Sequence, residues 1–352
     1  MPLPPVLFKP ESLTANPSGG DGTLCDAVKL CWLAPILPRA PSSGISELTS
    51  GPSTSEPVGR GRLLAAFAVL YVVWGSTYLA VALAVQSIPP FLLIGIRSLA
   101  AGAILFALAQ ARNPAMPSPR AWALAGASGL LLFGGCHGAL AYAQETVPSG
   151  LAAVMLATIP FWIVLIKLAT PAKDRPGKWT LAALVPGLAG VALFVMPTDA
   201  HGLAPVAPVL ALLLLGAAFS WAAGSLLSQR QSANTSAIAL AGMQLLCGGA
   251  ALLVASPLTG ELAGFSLGRV SPVSWAALLY LTLAGSVIAF TAYVWLLDHA
   301  KAPLVATYTF VNPIIAVGLG WAALGERLTL PMLAGFALVV GSVMAVWRME
   351  AA

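Results

Sequence analysis

From Leu63 onward the chain is a succession of apolar runs, each about twenty residues long, separated by short stretches carrying Pro, Gly or clustered charge. A bilayer core about 30 Å thick is crossed by roughly twenty apolar residues in a helix rising 1.5 Å per residue. The pattern predicts spans at 65–86, 90–109, 122–144, 148–169 and 179–197. A second set follows at 208–229, 238–257, 274–297, 302–324 and 330–347. The connections are mostly short, so consecutive helices are expected to run antiparallel. The expectation is an all-α membrane protein of ten transmembrane helices.

Polar positions supply the orientation. With residue 62 placed in the cytoplasm, that side holds Arg60, Arg62, Arg112, Arg120, Lys173, Arg175, Lys178, Arg230, Lys301 and Arg348. The other side holds Arg269 and Arg327. Cytoplasmic flanks are enriched in Lys and Arg, so both termini are predicted cytoplasmic, in a multi-pass protein of the cell (inner) membrane.

Residues 1–61 do not share this pattern. Stretches such as PSSGISELTSGPSTSEPVGRG (41–61) hold too little apolar surface to offset the entropy of ordering, which predicts a disordered extension. The apolar patch Leu30–Leu37 is short, contains Pro35 and lacks a clean signal-peptide cleavage site. An alternative is that translation starts near residue 60, which would need a non-Met codon because the next Met is Met116.

Composition narrows the function classes. Hydrophobic residues are 59% and charged residues 8% of the 352, with mean hydropathy +0.89. Soluble domains carry about 25% charged residues, so the surplus apolar surface is assigned to lipid. The net charge of +5 comes from scattered single Lys and Arg, without aromatic interleaving, and nucleic acid is not an expected partner. Cys25, Cys31, Cys136 and Cys247 have neither metal-ligand spacing nor a disulfide framework, so no metal and no cofactor are expected.

The chain also repeats itself. Trp74 precedes Arg97 by 23 residues, as Trp221 precedes Gln244. GIRSLAAGAIL (95–105) aligns with GMQLLCGGAAL (242–252), five of eleven positions being identical, Gly102 and Gly249 among them. SGLAAVMLATIP (149–160) aligns more weakly with APLVATYTFVNP (302–313). Residues 62–200 and 201–352 are thus read as two five-helix repeats. Five is odd, so the second repeat enters the membrane inverted, an arrangement that suits a carrier with two near-equivalent open states.

Several segments carry a family resemblance: YVVWGSTYLA (71–80), PPFLLIGIRSLAAG (89–102) and VPSGLAAVMLATIP (147–160), then AYVWLL (292–297), ATYTFVNPIIAV (306–317) and GERL (325–328). They resemble EamA-type permeases of the drug/metabolite transporter superfamily, over about residues 62–348. The resemblance implies ten helices and export of a metabolite, an amino acid or a drug. It departs in two places. Ala172-Lys173 stands where the second repeat has Gly325-Glu326. The superfamily's four-helix members carry a membrane-embedded Glu in helix 1, whereas residues 65–86 hold no carboxylate.

Ionisable residues at membrane depth are costly and mark candidate sites. Arg97 lies seven residues into the second span, about 10 Å below the outer surface by helical rise. It either attracts an anionic or zwitterionic substrate or is structural, paired with Glu145 or a helix end. Gln244 is its neutral counterpart. His137, in GGCHG, either relays a proton in antiport or packs as a neutral ring beside a close contact formed by Gly134 and Gly138. Asp298 and His299 read as ordinary end-of-helix charges. Pro160 and Pro313 occupy equivalent places and are expected to kink their helices symmetrically. Tyr308 and Asn312 share one face with the second break, and Trp74, Tyr78 and Trp221 are candidate cavity walls.

The partners expected are the bilayer and a small-molecule substrate, with proton coupling left open. No catalytic residue is assigned, because the chain has no HExxH, no GxSxG and no carboxylate deep in a span. A channel or membrane scaffold is the alternative to a transporter, and an intramembrane enzyme the more distant one. Inverted duplication argues against a scaffold.

Overall fold

In the computed structural model, the described residues are 60–169, 177–195, 207–229, 235–300, 305, 308–326 and 328–351. The expected disordered extension falls outside them up to residue 59. Lys173, Arg175, Arg230, Lys301 and Arg327 of the charge count also fall outside.

The described residues are helical and contain no strand. The helices are α1 (Arg60–Ala84), α2 (Pro90–Arg112), α3 (Pro119–Ala143), α4 (Ser149–Ala169) and α5 (Lys178–Val195). They continue with α6 (Pro208–Gln229), α7 (Ala237–Leu258), α8 (272–299), α9 (Tyr308–Leu324) and α10 (Leu330–Ala351). Seven are long and apolar enough to cross a membrane: α1–α4 and α6–α8. The apolar portions of α5, α9 and α10 are shorter, at Lys178–Leu193, Val311–Leu324 and Met332–Val346.

Local chemistry explains where several helices begin. Ser118, Ser236 and Ser271 accept from the backbone N–H three residues on, capping α3, α7 and α8. Pro90, Pro119 and Pro272 occupy first turns, where a missing N–H costs nothing.

Two N-termini are capped from far away instead. Glu261 accepts from the backbone N–H of Phe91 at 3.1 Å and of Leu92 at 2.8 Å, at the start of α2. Glu326 accepts from the N–H and Oγ of Ser149, both at 2.7 Å, and from the N–H of Gly150 at 3.1 Å, at the start of α4. A carboxylate there satisfies orphan donors and meets the positive end of the helix dipole.

The helices α2 and α7 pack closely and antiparallel, and glycine makes the approach possible. A Cβ on Gly102 would lie 3.0 Å from the Gly242 carbonyl oxygen, and one on Gly249 would lie 3.0 Å from that of Gly95. Gly95 and Gly102 align with Gly242 and Gly249 in the repeat, so the contact maps onto itself when the helices are exchanged. Likewise, α5 packs on α10, where Ser342 Oγ donates to the Ala183 carbonyl.

Two expectations need correction. α4 is interrupted at Ala157–Thr158, and Pro160 lies at the second residue of the resumed helix, whereas Pro313 lies inside the continuous α9. The missing N–H of Pro160 falls where a helix restarts, so the two prolines do not act alike. Gly134 makes no close interhelical contact. Gly135, against Ser220, and Gly138, against Leu252 and Phe91, make them. His299, an exposed ring, stacks on Trp295 at 4.4 Å and bonds that residue's carbonyl at 2.8 Å. The Asp298 side chain lies outside the described set.

Candidate functional site

Both α3 and α8 contain a widened, π-helical stretch, at Leu130–Gly138 and Leu281–Ile288. Such turns shift the register of backbone hydrogen bonds and frequently accompany functional sites. Here they flank a central cavity. In α3, His137 Nδ1 bonds the Leu132 carbonyl, five residues back, at 3.0 Å. A carbonyl accepts only, so Nδ1 carries the proton. The ring stacks on Phe133 at 5.3 Å and meets Trp221 edge-on at 5.2 Å. In α8, the Gly285 carbonyl accepts from Trp74 Nε1 at 3.2 Å, and Ser286 Oγ accepts from Arg97 Nε at 2.8 Å.

The cavity has a volume of about 50 Å³ and brings together Trp74, Tyr78, Arg97, His137, Trp221, Tyr308 and Asn312. Trp74, Tyr78, Trp221 and Tyr308 give the wall an aromatic patch. Trp221 Nε1 donates to Tyr308 Oη at 3.1 Å, and Trp74 meets Tyr308 edge to face at 5.1 Å and Tyr293 at 5.0 Å. A space of this size holds a few waters. Pockets for drug-sized ligands run to roughly 300–1,000 Å³, so a metabolite enters only if the walls separate.

Two polar groups stand out in this apolar surround. Arg97 is 4% exposed, and among the described residues its Nη atoms take no hydrogen-bond partner and no carboxylate lies within ion-pair distance. Asn312 is 5% exposed, and its Oδ1 is buried without a hydrogen-bond partner. Removing polar groups from water without compensation costs several kcal/mol, and more for a charge, so both have unmet hydrogen-bonding capacity at the cavity.

The remaining candidates lie elsewhere. Glu145 does not pair with Arg97. It is exposed, lining a separate cleft of about 500 Å³ with Glu261, Phe91, Tyr142 and Leu213. Burial and then the charge of Glu261 raise its carboxyl above the ordinary carboxylate value. Gln244 is fully buried and donates to Ser128 Oγ and Ser228 Oγ, both at 2.9 Å, tying α7 to α3 and α6. Pro160 and Pro313 each follow a lining residue, Ile159 and Asn312. Among the described residues, no group of three His, Cys, Asp or Glu is arranged to hold a metal.

Sequence reasoning passed over Ser286, Gly285, Glu261 and Cys136. The glycine-rich string at residues 134–138 was the available signal for the first widened turn, and the second, around Gly285, had no comparable one. Cys136, given no site role from its spacing, lines the cavity.

Comparison with known proteins agrees with this architecture. The model of the EamA-like transporter family matches twice, over residues 60–196 and 209–348. The "Uncharacterized inner membrane transporter YedA" of Escherichia coli (strain K12) is 35% identical, over 76% of this chain and 84% of that one. The "Uncharacterized transporter YvbV" of Bacillus subtilis (strain 168) is 28% identical, over 82% and 91%. A "Probable amino-acid metabolite efflux pump" of Escherichia coli (strain K12) is 24% identical, over 74% and 86%. One solved crystal structure superposes with a TM-score of 0.59, covering 83% of this chain and 99% of that one at 22% identity, which shows the fold alone.

Proposed function

The chain belongs to the EamA-like transporter family, and from that premise we propose that it is an inner-membrane secondary transporter exporting a small anionic or zwitterionic metabolite through the central cavity. In this reading ten helices form two inverted five-helix repeats with both termini cytoplasmic. Three observations support it. The family model matches two successive segments. The repeat-equivalent helices α2 and α7 meet antiparallel, as inversion requires and a direct repeat would not. Lys and Arg crowd one predicted side.

The observation that carries the substrate class is the state of Arg97, a buried cation whose Nη atoms have no partner among the described residues, in a cavity to which the described residues contribute no carboxylate. An anionic group there would form charge-assisted, bidentate hydrogen bonds. Asn312 Oδ1 would accept from a donor on the same molecule, such as an ammonium or hydroxyl. An amino acid has both groups, in keeping with the name of the efflux-pump relative.

The test is resistance of overproducing cells to a panel of toxic amino-acid analogues and carboxylic acids. Uptake of the hits into everted vesicles, with and without a pH gradient, follows. Arg97→Gln, matching Gln244, should reach the membrane at parental levels yet lose export, and Arg97→Lys should retain part of it. Parental transport by Arg97→Gln would refute the substrate role.

A further inference from the structure

The widened turn of α8 presents two consecutive residues to the candidate site, and each constrains Arg97 differently. Ser286 is 1% exposed, and its Oγ accepts from Arg97 Nε at 2.8 Å. That bond uses the one guanidinium nitrogen unable to join a parallel pair at the Nη1–Nη2 edge. It leaves that edge for a carboxylate, whose two oxygens match its spacing. Gly285 backs the same group: a Cβ there would lie 3.2 Å from Arg97 Nη2 and 3.1 Å from Thr77 Cγ2. Its carbonyl meanwhile holds the Trp74 indole at 3.2 Å. One turn therefore fixes a charged and an aromatic wall of the cavity together.

We propose that Gly285 and Ser286 are positioning residues that aim the Arg97 guanidinium and so set the carrier's preference for carboxylate-bearing substrates. The proposal rests on the reading of Arg97 as the anion-binding group. A glycine at 285 lets the guanidinium lie against the backbone of α8, and the hydroxyl at 286 stops it rotating about its long side chain. Without the hydroxyl the charge stays in the cavity but its edge no longer has a fixed direction. The expected loss is therefore one of discrimination, with the turnover step untouched.

The experiment measures ligand-induced shifts in melting temperature of the purified full chain in detergent, with each proteinogenic amino acid and simple carboxylic acid beside its carboxamide. The parent should bind the acid and not the amide. Ser286→Ala should weaken the acid by roughly tenfold, the scale of one hydrogen bond to a charged group. Ser286→Thr, which keeps the hydroxyl, should restore it. Gly285→Ala, which displaces the guanidinium, should also lower acid-over-amide selectivity. Vesicle uptake should show the change in KM and not in the maximal rate. If Ser286→Ala fails to accumulate, the near-isosteric Ser286→Cys carries the same comparison with a weaker acceptor. A parent that binds acid and amide alike, or binds no carboxylate in the panel, overturns the Arg97 reading and this proposal with it. A selective parent with equally selective Ser286 and Gly285 variants overturns the positioning role alone.

Discussion

The indole rings of Trp74 and Trp221 meet edge to face, their centroids 5.8 Å apart and their planes at 85°. They come from α1 and α6, at positions that the internal repeat makes equivalent. Each commits its N–H to a different helix, Trp74 to the Gly285 carbonyl of α8 and Trp221 to the Tyr308 hydroxyl of α9. Four helices are thereby joined at one aromatic contact. Aromatic pairs of this geometry are worth about 0.5–1.5 kcal/mol beyond the area they bury. An opening of the cavity between α1 and α6 has to separate this pair.

Trp221 and Tyr308 are expected to act as one unit. Trp221→Phe keeps an apolar ring and removes the donor, and Tyr308→Phe removes the acceptor. Each should lower transport about fivefold, the equivalent of one hydrogen bond near 1 kcal/mol. The double variant should be little worse than either single one. Vesicle uptake by all four proteins, at matched membrane abundance, measures the coupling; strictly multiplicative losses would show that the bond contributes nothing.

Seven of the spans and most cavity residues were legible because their causes are local or repeated. Twenty apolar residues between charged ends have one inexpensive place to go, and the spacing of Trp74 to Arg97, repeated as Trp221 to Gln244, marked both indoles. The rest depends on tertiary contact. Glu261 and Glu326 cap helices that begin about 170 residues earlier in the chain, and no local pattern announces such a pairing. The widened turns in α3 and α8 resemble ordinary apolar helix in sequence. Arg97 and Gln244 align in the repeat, yet one faces the cavity and the other a cluster of serines, because equivalent backbones need not have equivalent surroundings.

The α2–α7 contact should tolerate no added bulk at its glycines. A side chain on Gly102 would meet the Leu246 amide nitrogen at 2.8 Å, a backbone atom that cannot move aside alone. Gly102→Val should therefore cost about 1–3 kcal/mol through overpacking and lower membrane accumulation. Gly216→Ala, where an added Cβ meets nothing within 4 Å, serves as the control and should accumulate normally. Immunoblotting of membrane fractions reads the difference, and equal abundance of the two variants would contradict the packing argument.

Glu326 should hold the start of α4. Its oxygens accept three hydrogen bonds from Ser149 and Gly150, and α4 has no side-chain cap of its own. Glu326→Ala should lower stability by about 1–2 kcal/mol, the range for losing an N-cap. Amide exchange at residues 149–150 should accelerate, while that of α7 stays unchanged. Unaltered protection at 149–150 would mean that the cap contributes no stability.

Glu145 should make stability fall as the pH rises. Its carboxyl is raised above the ordinary value, first by partial burial and second by the neighbouring charge of Glu261. A carboxyl that holds its proton more tightly in the folded state makes that state bind more protons than the unfolded chain does. The contribution is fully present below the unfolded pKa and is lost as pH rises through the raised folded value. At neutral pH the ionised group thus carries a penalty in desolvation and repulsion, screened because the residue is exposed. Glu145→Gln removes the charge and should raise the melting temperature in detergent near neutral pH. The advantage should shrink to nothing once the buffer is below the ordinary carboxylate range. A pH-independent gap between the variant and the parent would show that ionisation of Glu145 is not its source.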